Sequence, residues 1–229
     1  MGILYLVATP IGNMEDITLR AIEVLSHVDI IACEDTRKTG LLLQKLEIKN
    51  KPQLIPYYEE NEQGRIPQII NFLKENKNVA LVSNAGTPTL SDPGYKLVRE
   101  AIKECIKIEA IPGPSAILNA LVVSGLPTDK FLFLGFLPKK QSKRIKILKN
   151  YTLNPIPCTL IIFESPFRLL KTLQELKEIF NDIEIVICRE LTKVFEEIRR
   201  EKISESIAHF EKTKPKGEYT LLLHTSDVG

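Results

Sequence analysis

Apolar residues in the first half of this chain come in runs too short for buried helices: residues 3–8, 30–33, 79–83 and 106–111, each closed by Pro, Gly, Asn or an acidic residue. Runs of that length and closure read as strands buried on both faces. Between them the apolar residues change to helical spacing. Ile17, Ala21, Val24, Leu25 and Val28 fall on one stripe, as do Ile66, Ile69, Ile70 and Leu73, and Leu97, Val98, Ala101 and Ile102. Strands alternating with helices require crossover connections, and hence a mainly parallel sheet with helices on both faces.

The second half keeps the theme in a different rhythm. Strands are expected at 131–134, 158–163, 183–188, 195–199 and 219–224, with helices at 143–149, 169–180 and 204–211, which predicts a mixed sheet. The turn-rich stretch Ser124-Gly125-Leu126-Pro127-Thr128-Asp129 follows the apolar segment 117–123. It suggests two α/β lobes, 1–122 and 123–229.

Composition narrows the function classes. With 229 residues, 44% hydrophobic and 26% charged, the chain has enough apolar side chain for real cores. Lys plus Arg number 31 against 29 for Asp plus Glu, a net charge of +2, so any nucleic-acid binding must rest on local charge. No apolar run approaches a membrane span, and the opening residues lack the basic start of a signal segment, so a soluble cytoplasmic protein is expected. Cys33, Cys105, Cys158 and Cys188 are widely spaced and suggest buried free thiols. No metal site is expected. GxxxxGK[ST], GxGxxG and GxSxG are absent, and His27, His209 and His224 stand apart from other catalytic groups.

Chemistry is expected in the turns after the strands, because ligands of open α/β sheets bind beyond the carboxyl ends of the strands. Four such turns should share one edge: Thr9-Pro10-Ile11-Gly12-Asn13, Glu34-Asp35-Thr36-Arg37, Asn84-Ala85-Gly86-Thr87-Pro88 and Pro112-Gly113-Pro114-Ser115-Ala116. Each alone is also ordinary punctuation, and Ser115 is equally an N-cap. The second half adds two charged turns, Glu164-Ser165-Pro166-Phe167-Arg168 and Arg189-Glu190-Leu191-Thr192-Lys193, which read as loop-orienting ion pairs or substrate contacts. The segment 139–149 carries six basic and no acidic residues. It is either a solvated helix face or a phosphate-backbone contact through Lys139, Lys140, Lys143 and Arg144.

Taken in order with Phe133-Leu134-Gly135-Phe136-Leu137-Pro138 and Ser91-Asp92-Pro93-Gly94, these motifs resemble the ribosomal RNA small subunit methyltransferase I family of the tetrapyrrole methylase-like superfamily, over about residues 3–224. The resemblance implies a two-lobed homodimeric enzyme that binds S-adenosylmethionine in a cleft between its lobes. Its implied activity is methylation of a cytidine ribose 2′-hydroxyl in the decoding region of small-subunit ribosomal RNA. Cofactor contacts carried over by the resemblance are Pro10, Gly86, Thr87, Leu90, Ser115, Ala116, Glu164 and Leu191. This chain has Asn84 where the family has Asp, and Phe167 where it has His.

A ribose hydroxyl needs a proton acceptor and a cation for its developing charge. Glu34, Asp35 and Arg37 supply both in one turn, with Glu164, Arg168, Glu190 and Lys193 in the second half. Asp35 is the expected acceptor or its partner, and Arg37, Arg168 and Lys193 are expected to hold phosphate or oxyanion. The rival readings are methylation of a tetrapyrrole carbon and a non-catalytic ribosome-assembly factor. The first leaves the basic segment 139–149 without a purpose, and the second predicts no turnover. An assembled ribosomal subunit is the favoured substrate, because a net charge of +2 holds naked RNA weakly.

Overall fold

Every short apolar run of the first half is a strand, and together they build one parallel sheet. The computed structural model describes residues 1–152 and 156–225. In chain order the first part contains β1 (Ile3–Val7), α1 (Leu19–His27), β2 (Ile30–Cys33), α2 (Thr36–Lys45), β3 (Gln53–Pro56), α3 (Glu62–Lys74), β4 (Val79–Val82), α4 (Tyr95–Lys103) and β5 (Lys107–Ile111). The strand order is β3-β2-β4-β1-β5, and every neighbouring pair is parallel.

The side-chain alternation of a strand divides this sheet's apolar residues between two cores. Leu4, Ile30, Ala32, Val79 and Leu81 pack with Ile69 and Leu73 of α3 and Leu97 and Ala101 of α4. Val7, Ile31, Cys33, Ala80 and Val82 face the other way, onto Ala21 and Leu25 of α1 and Leu43 of α2. That is why these strands read as continuous apolar runs. Gly2 is fixed by a close approach, since a Cβ there would lie 1.9 Å from the Lys77 carbonyl oxygen.

The second part contains α5 (Ala116–Ser124), β6 (Phe131–Phe136), α6 (Gln141–Thr152), β7 (Thr159–Glu164), α7 (Leu169–Phe180), β8 (Glu184–Arg189), β9 (Glu197–Lys202), α8 (Ile203–Lys212) and β10 (Tyr219–His224). Its sheet runs β6-β7-β10-β8-β9, with β6 parallel to β7 and the other pairs antiparallel. Leu160, Ile162, Ile185, Ile187, Leu221 and Leu223 form a core with Leu169, Leu173, Leu176 and Phe180 of α7. The mixed sheet predicted for this half is present.

Chain contacts divide the molecule at Ser115/Ala116, whereas the sequence pattern pointed to residue 122, so α5 belongs wholly to the second unit. The reason lies at its C-terminus. Arg200 of β9 donates to the Ser124 carbonyl at 3.2 Å and also to the Val123 carbonyl, satisfying the last orphan acceptors of the helix.

Several elements differ from the sequence reading. Strand β3 was not anticipated: it is a four-residue edge strand with Gln53 exposed and Pro56 at its end, where a missing N–H is tolerated. Helix α2 was not anticipated either, because its first turn is polar. Strand β9 begins at Glu197 and runs on to Lys202, leaving Phe195 in the preceding turn and exposed. Ile102 was placed on the buried stripe of α4 but is exposed, and Cys105, expected to be buried, is exposed just beyond that helix.

One expectation fails for a physical reason. Arg144, read as a surface cation of the basic segment, is 2% exposed. Its guanidinium makes two 2.5 Å hydrogen bonds to the Glu175 carboxylate and donates to the carbonyls of Pro138 and Lys139 at 2.9 and 3.2 Å. Removing one partner of a buried pair strands the other charge, so Glu175→Ala should cost about 3–5 kcal/mol in urea unfolding of the second unit. The double replacement Arg144→Met with Glu175→Leu should recover most of that loss.

Candidate functional site

Because β1, β2, β4 and β5 are parallel, the turns after Val7, Cys33, Val82 and Ile111 all leave the same edge of the first sheet. Three of these turns are fastened together by hydrogen bonds to main-chain carbonyls. Thr9 and Gly86 exchange reciprocal N–H to carbonyl bonds, both 2.9 Å, and the Thr9 hydroxyl donates to the Ser83 carbonyl at 3.3 Å. The Thr87 hydroxyl reaches the Pro114 carbonyl at 3.3 Å, tying the third turn to the fourth. Gly86 has φ +80°, a left-handed conformation that a side chain would strain.

The carried-over contacts of this unit lie on that platform. Gly86 and Ser115 are buried, and Pro10 and Thr87 are half-buried; Ala116, the next residue, is half-buried and opens α5 of the second unit. Leu90 is exposed and flanked by two non-glycine residues with positive φ, Thr89 at +74° and Ser91 at +64°. A β-branched residue in that region is an outlier, and such strain collects at ligand clamps. Here it holds an apolar side chain outward on an otherwise polar turn.

The second turn supplies the carboxylates, and the structure separates their roles. Asp35 is the N-cap of α2: its side chain accepts from the N–H groups of Arg37 at 2.9 Å and Lys38 at 3.4 Å, and from the Arg37 guanidinium at 3.1 and 3.2 Å. Those bonds, the Arg37 side chain first, hold its carboxyl down to about 2. So stabilised an anion caps a helix well and accepts a proton poorly. Arg37 itself projects into solvent.

Glu34 is arranged differently. Its carboxylate accepts from the backbone N–H of Asn84 at 3.1 Å and from the Asn84 side-chain amide at 3.0 Å. Beside it lies Asp92, whose carboxyl is raised to about 7 by burial first and then by the negative charge of Glu34. Asp92 therefore keeps its proton up to near neutrality. The turn carrying Asp92 is anchored from below, where Glu62 accepts from the Gly94 N–H at 3.1 Å and from the buried Tyr57 hydroxyl at 2.9 Å. Sequence reasoning quoted Asp92 within a motif but gave it no role. A carboxylate just before Pro-Gly, in a turn facing Glu34, was the available signal.

In the second unit the charged turns brace loops. Glu164, 1% exposed, accepts from the Thr172 hydroxyl at 2.6 Å and the Ser165 N–H at 2.8 Å, and pairs with Arg168 at 3.3 Å. Arg168 also donates to the Leu137 carbonyl at 2.8 Å. Lys193 bridges Glu190 at 2.9 Å and Glu218 at 2.8 Å, with Leu191 buried next to them. Lys139, Lys140 and Lys143 are exposed. Among the described residues no group of acidic, Cys or His side chains is arranged to hold a metal ion.

A family profile described as "Tetrapyrrole (Corrin/Porphyrin) Methylases" matches residues 3–206. A Thermotoga maritima protein named "Ribosomal RNA small subunit methyltransferase I" is 51% identical over 97% of this chain and 98% of its own length. A protein of the same name from Hydrogenobaculum sp. is 46% identical over 96% and 94%. Among solved structures, the methyltransferase CobJ superposes with a TM-score of 0.72 at 16% identity, covering 97% of this chain and 94% of its own. A uroporphyrin-III C-methyltransferase from Thermus thermophilus, complexed with S-adenosyl homocysteine, gives 0.66 at 18% identity over the full length of both. These structural likenesses establish the shared fold. With the profile spanning most of its length and relatives near half identical from end to end, the chain belongs to the tetrapyrrole methylase family, among the relatives named ribosomal RNA small subunit methyltransferase I.

Proposed function

We propose that this chain transfers a methyl group from S-adenosylmethionine to the ribose 2′-hydroxyl of a cytidine in the decoding region of small-subunit ribosomal RNA. The observation that carries this reading is identity of 42–51% over 96% or more of the chain to relatives bearing that enzyme name. The tetrapyrrole-carbon alternative draws on the description of the family profile and on structural likeness at 16–20% identity. The further proposals are a cytoplasmic homodimer and an assembled small subunit as substrate. No described helix is long and apolar enough to cross a membrane.

The residues at the first sheet's edge suit the cofactor. Gly86 leaves the backbone bare, Leu90 offers an outward apolar wall, and Pro10, Thr87, Ser115 and Ala116 complete that side. Glu164 and Leu191 complete the set carried by the resemblance. Glu164 would act through its main chain, because its carboxylate is engaged by Ser165, Thr172 and Arg168. When bound, S-adenosylmethionine supplies an electrophilic methyl group on a sulfonium.

This chain's own residues must align the hydroxyl in line with that methyl and exclude water. They must also take the hydroxyl proton. Asp35 is a cap, so the acceptor role passes to Asp92, raised toward neutrality by burial first and then by Glu34, which Asn84 holds beside it. Arg37, with only Asp35 as its ion-pair partner among the described residues, is placed to meet phosphate. Arg168 and Lys193 brace loops in the second unit.

Single-turnover methylation of small subunits from cells lacking the endogenous enzyme tests this. Asp92→Asn should lower the rate about 100-fold with little change in S-adenosylhomocysteine affinity by calorimetry. Asp35→Asn should keep most of the rate, since Asn caps a helix as well as Asp does. The opposite order would return the acceptor role to Asp35, and no label in any RNA would sink the functional reading. Ser115→Tyr should abolish cofactor binding.

The wild-type rate should rise with pH through about 7 as Asp92 loses its proton. Stability should move the other way. Folded Asp92 keeps its proton to about pH 7, while an unfolded Asp releases it near 3.8, so the folded state binds more protons between those values and loses stability as pH rises. Unfolding midpoints at pH 5 and pH 8 should show that slope, and Asp92→Asn should flatten it.

A further inference from the structure

On the reading of this chain as an RNA methyltransferase, we infer that one edge of the second unit's sheet is a stacking platform for unpaired nucleotides, with Phe136, Phe167 and Phe195 as its aromatic surface. The topology brings the three rings together. Phe136 at the end of β6 is in register with Phe163 of β7, and Tyr219 at the start of β10 faces both Glu164 at the end of β7 and Arg189 at the end of β8. Glu197, which opens β9, also pairs with Arg189. The turns that carry Phe167 and Phe195 therefore leave the same edge at which Phe136 stands.

Burial should have removed these rings from water, and it has not. Phe136 is 57% exposed, Phe195 70% and Phe167 93%. They also stand on braced backbone. Arg168 joins the Phe167 turn to Glu164 and to the Leu137 carbonyl, and Lys193 joins the Phe195 turn to Glu190 and Glu218. Arg189 donates to the Lys216 carbonyl at 2.8 Å, and Arg144 grips the carbonyls of Pro138 and Lys139. Exposed rings on pinned loops lose little freedom when something flat settles on them.

The charge around them selects the occupant. Lys139, Lys140 and Lys216 are exposed at this edge and make no ion pair among the described residues. Against them stand exposed Glu196 and Glu218, of which Glu218 shares Lys193 with Glu190. Aromatic rings interleaved with unpaired lysines are the recognition chemistry of single-stranded nucleic acid: any base stacks on a ring while the cations follow the phosphates. An apolar protein partner would use the rings and leave the lysines without counterions.

The test uses the full chain and fluorescein-labelled 12-nucleotide single-stranded RNA, read by anisotropy at several salt concentrations, with a duplex of the same length in parallel. Phe167→Leu and Phe195→Leu keep apolar bulk and remove the ring. Each should weaken single-strand binding about tenfold, with the salt slope and S-adenosylhomocysteine affinity unchanged, and Phe167→Tyr should restore binding. Lys139→Gln with Lys140→Gln should instead reduce the salt slope by about 1.4.

Unchanged RNA affinity in both Leu variants would overturn the inference, as would tighter binding of duplex than of single strand. A shift of their sedimentation relative to wild type would overturn it too, by making this face a contact between copies of the chain. Methyl transfer to RNA that persists with ring-independent binding removes the platform and spares the functional reading. Ring-dependent binding without any methyl transfer does the reverse.

Discussion

Parallel pairing is the constraint on which the first unit depends. A parallel strand returns to its sheet only through a crossover, so each of the four strands that feed the site must end at the same edge, whatever its sequence. The reciprocal Thr9–Gly86 bonds and the Thr87–Pro114 bond then turn three loose exits into one surface, and the bonds from Asn84 to Glu34 add the fourth. Few side chains are needed for this, which is why the surface is built largely from Gly, Pro, Ser and Thr. The second unit restrains its turns with charge, through Arg168 on Glu164 and Lys193 on Glu190 and Glu218.

Buried and half-buried charges in this molecule fall into two kinds, and the hydrogen bonds around them tell which is which. Arg144 with Glu175, Glu164 with Thr172 and Asp35 at the start of α2 have their polar atoms satisfied by protein partners, and their work is to fix backbone. Asp92 is pushed toward neutrality by burial first and then by the charge of Glu34 held beside it. A purely structural network would avoid that burial and repulsion, and groups so perturbed are candidates for chemistry.

The architecture was legible in the sequence because it rests on local signals. Apolar runs closed by turn residues mark β1, β2, β4 and β5, and the helical stripe of 169–180 matches α7 from end to end. What was not legible depends on pairing across the fold. Strand β3 is a strand because β2 offers it an open edge, and α2 is a helix because Asp35 caps a polar first turn. Arg144 looked like its lysine neighbours until Glu175, thirty-one residues on, drew it inside. At the candidate site the turns were visible as Gly and Pro clusters, and their residues were named. The division of labour between Asp35 and Asp92 was hidden, because a cap and a buried partner differ by contacts and not by residue type.

The grip of Arg144 on the carbonyls of Pro138 and Lys139 has a thermodynamic consequence for the lysines that follow. A basic loop that is disordered in solution must give up its backbone freedom at the moment of association, and its affinity falls by that amount. Here the ordering happens during folding, driven by a buried ion pair. Lys139 and Lys140 thus enter an encounter with their main chain already placed, and only their side-chain rotamers remain to be restricted.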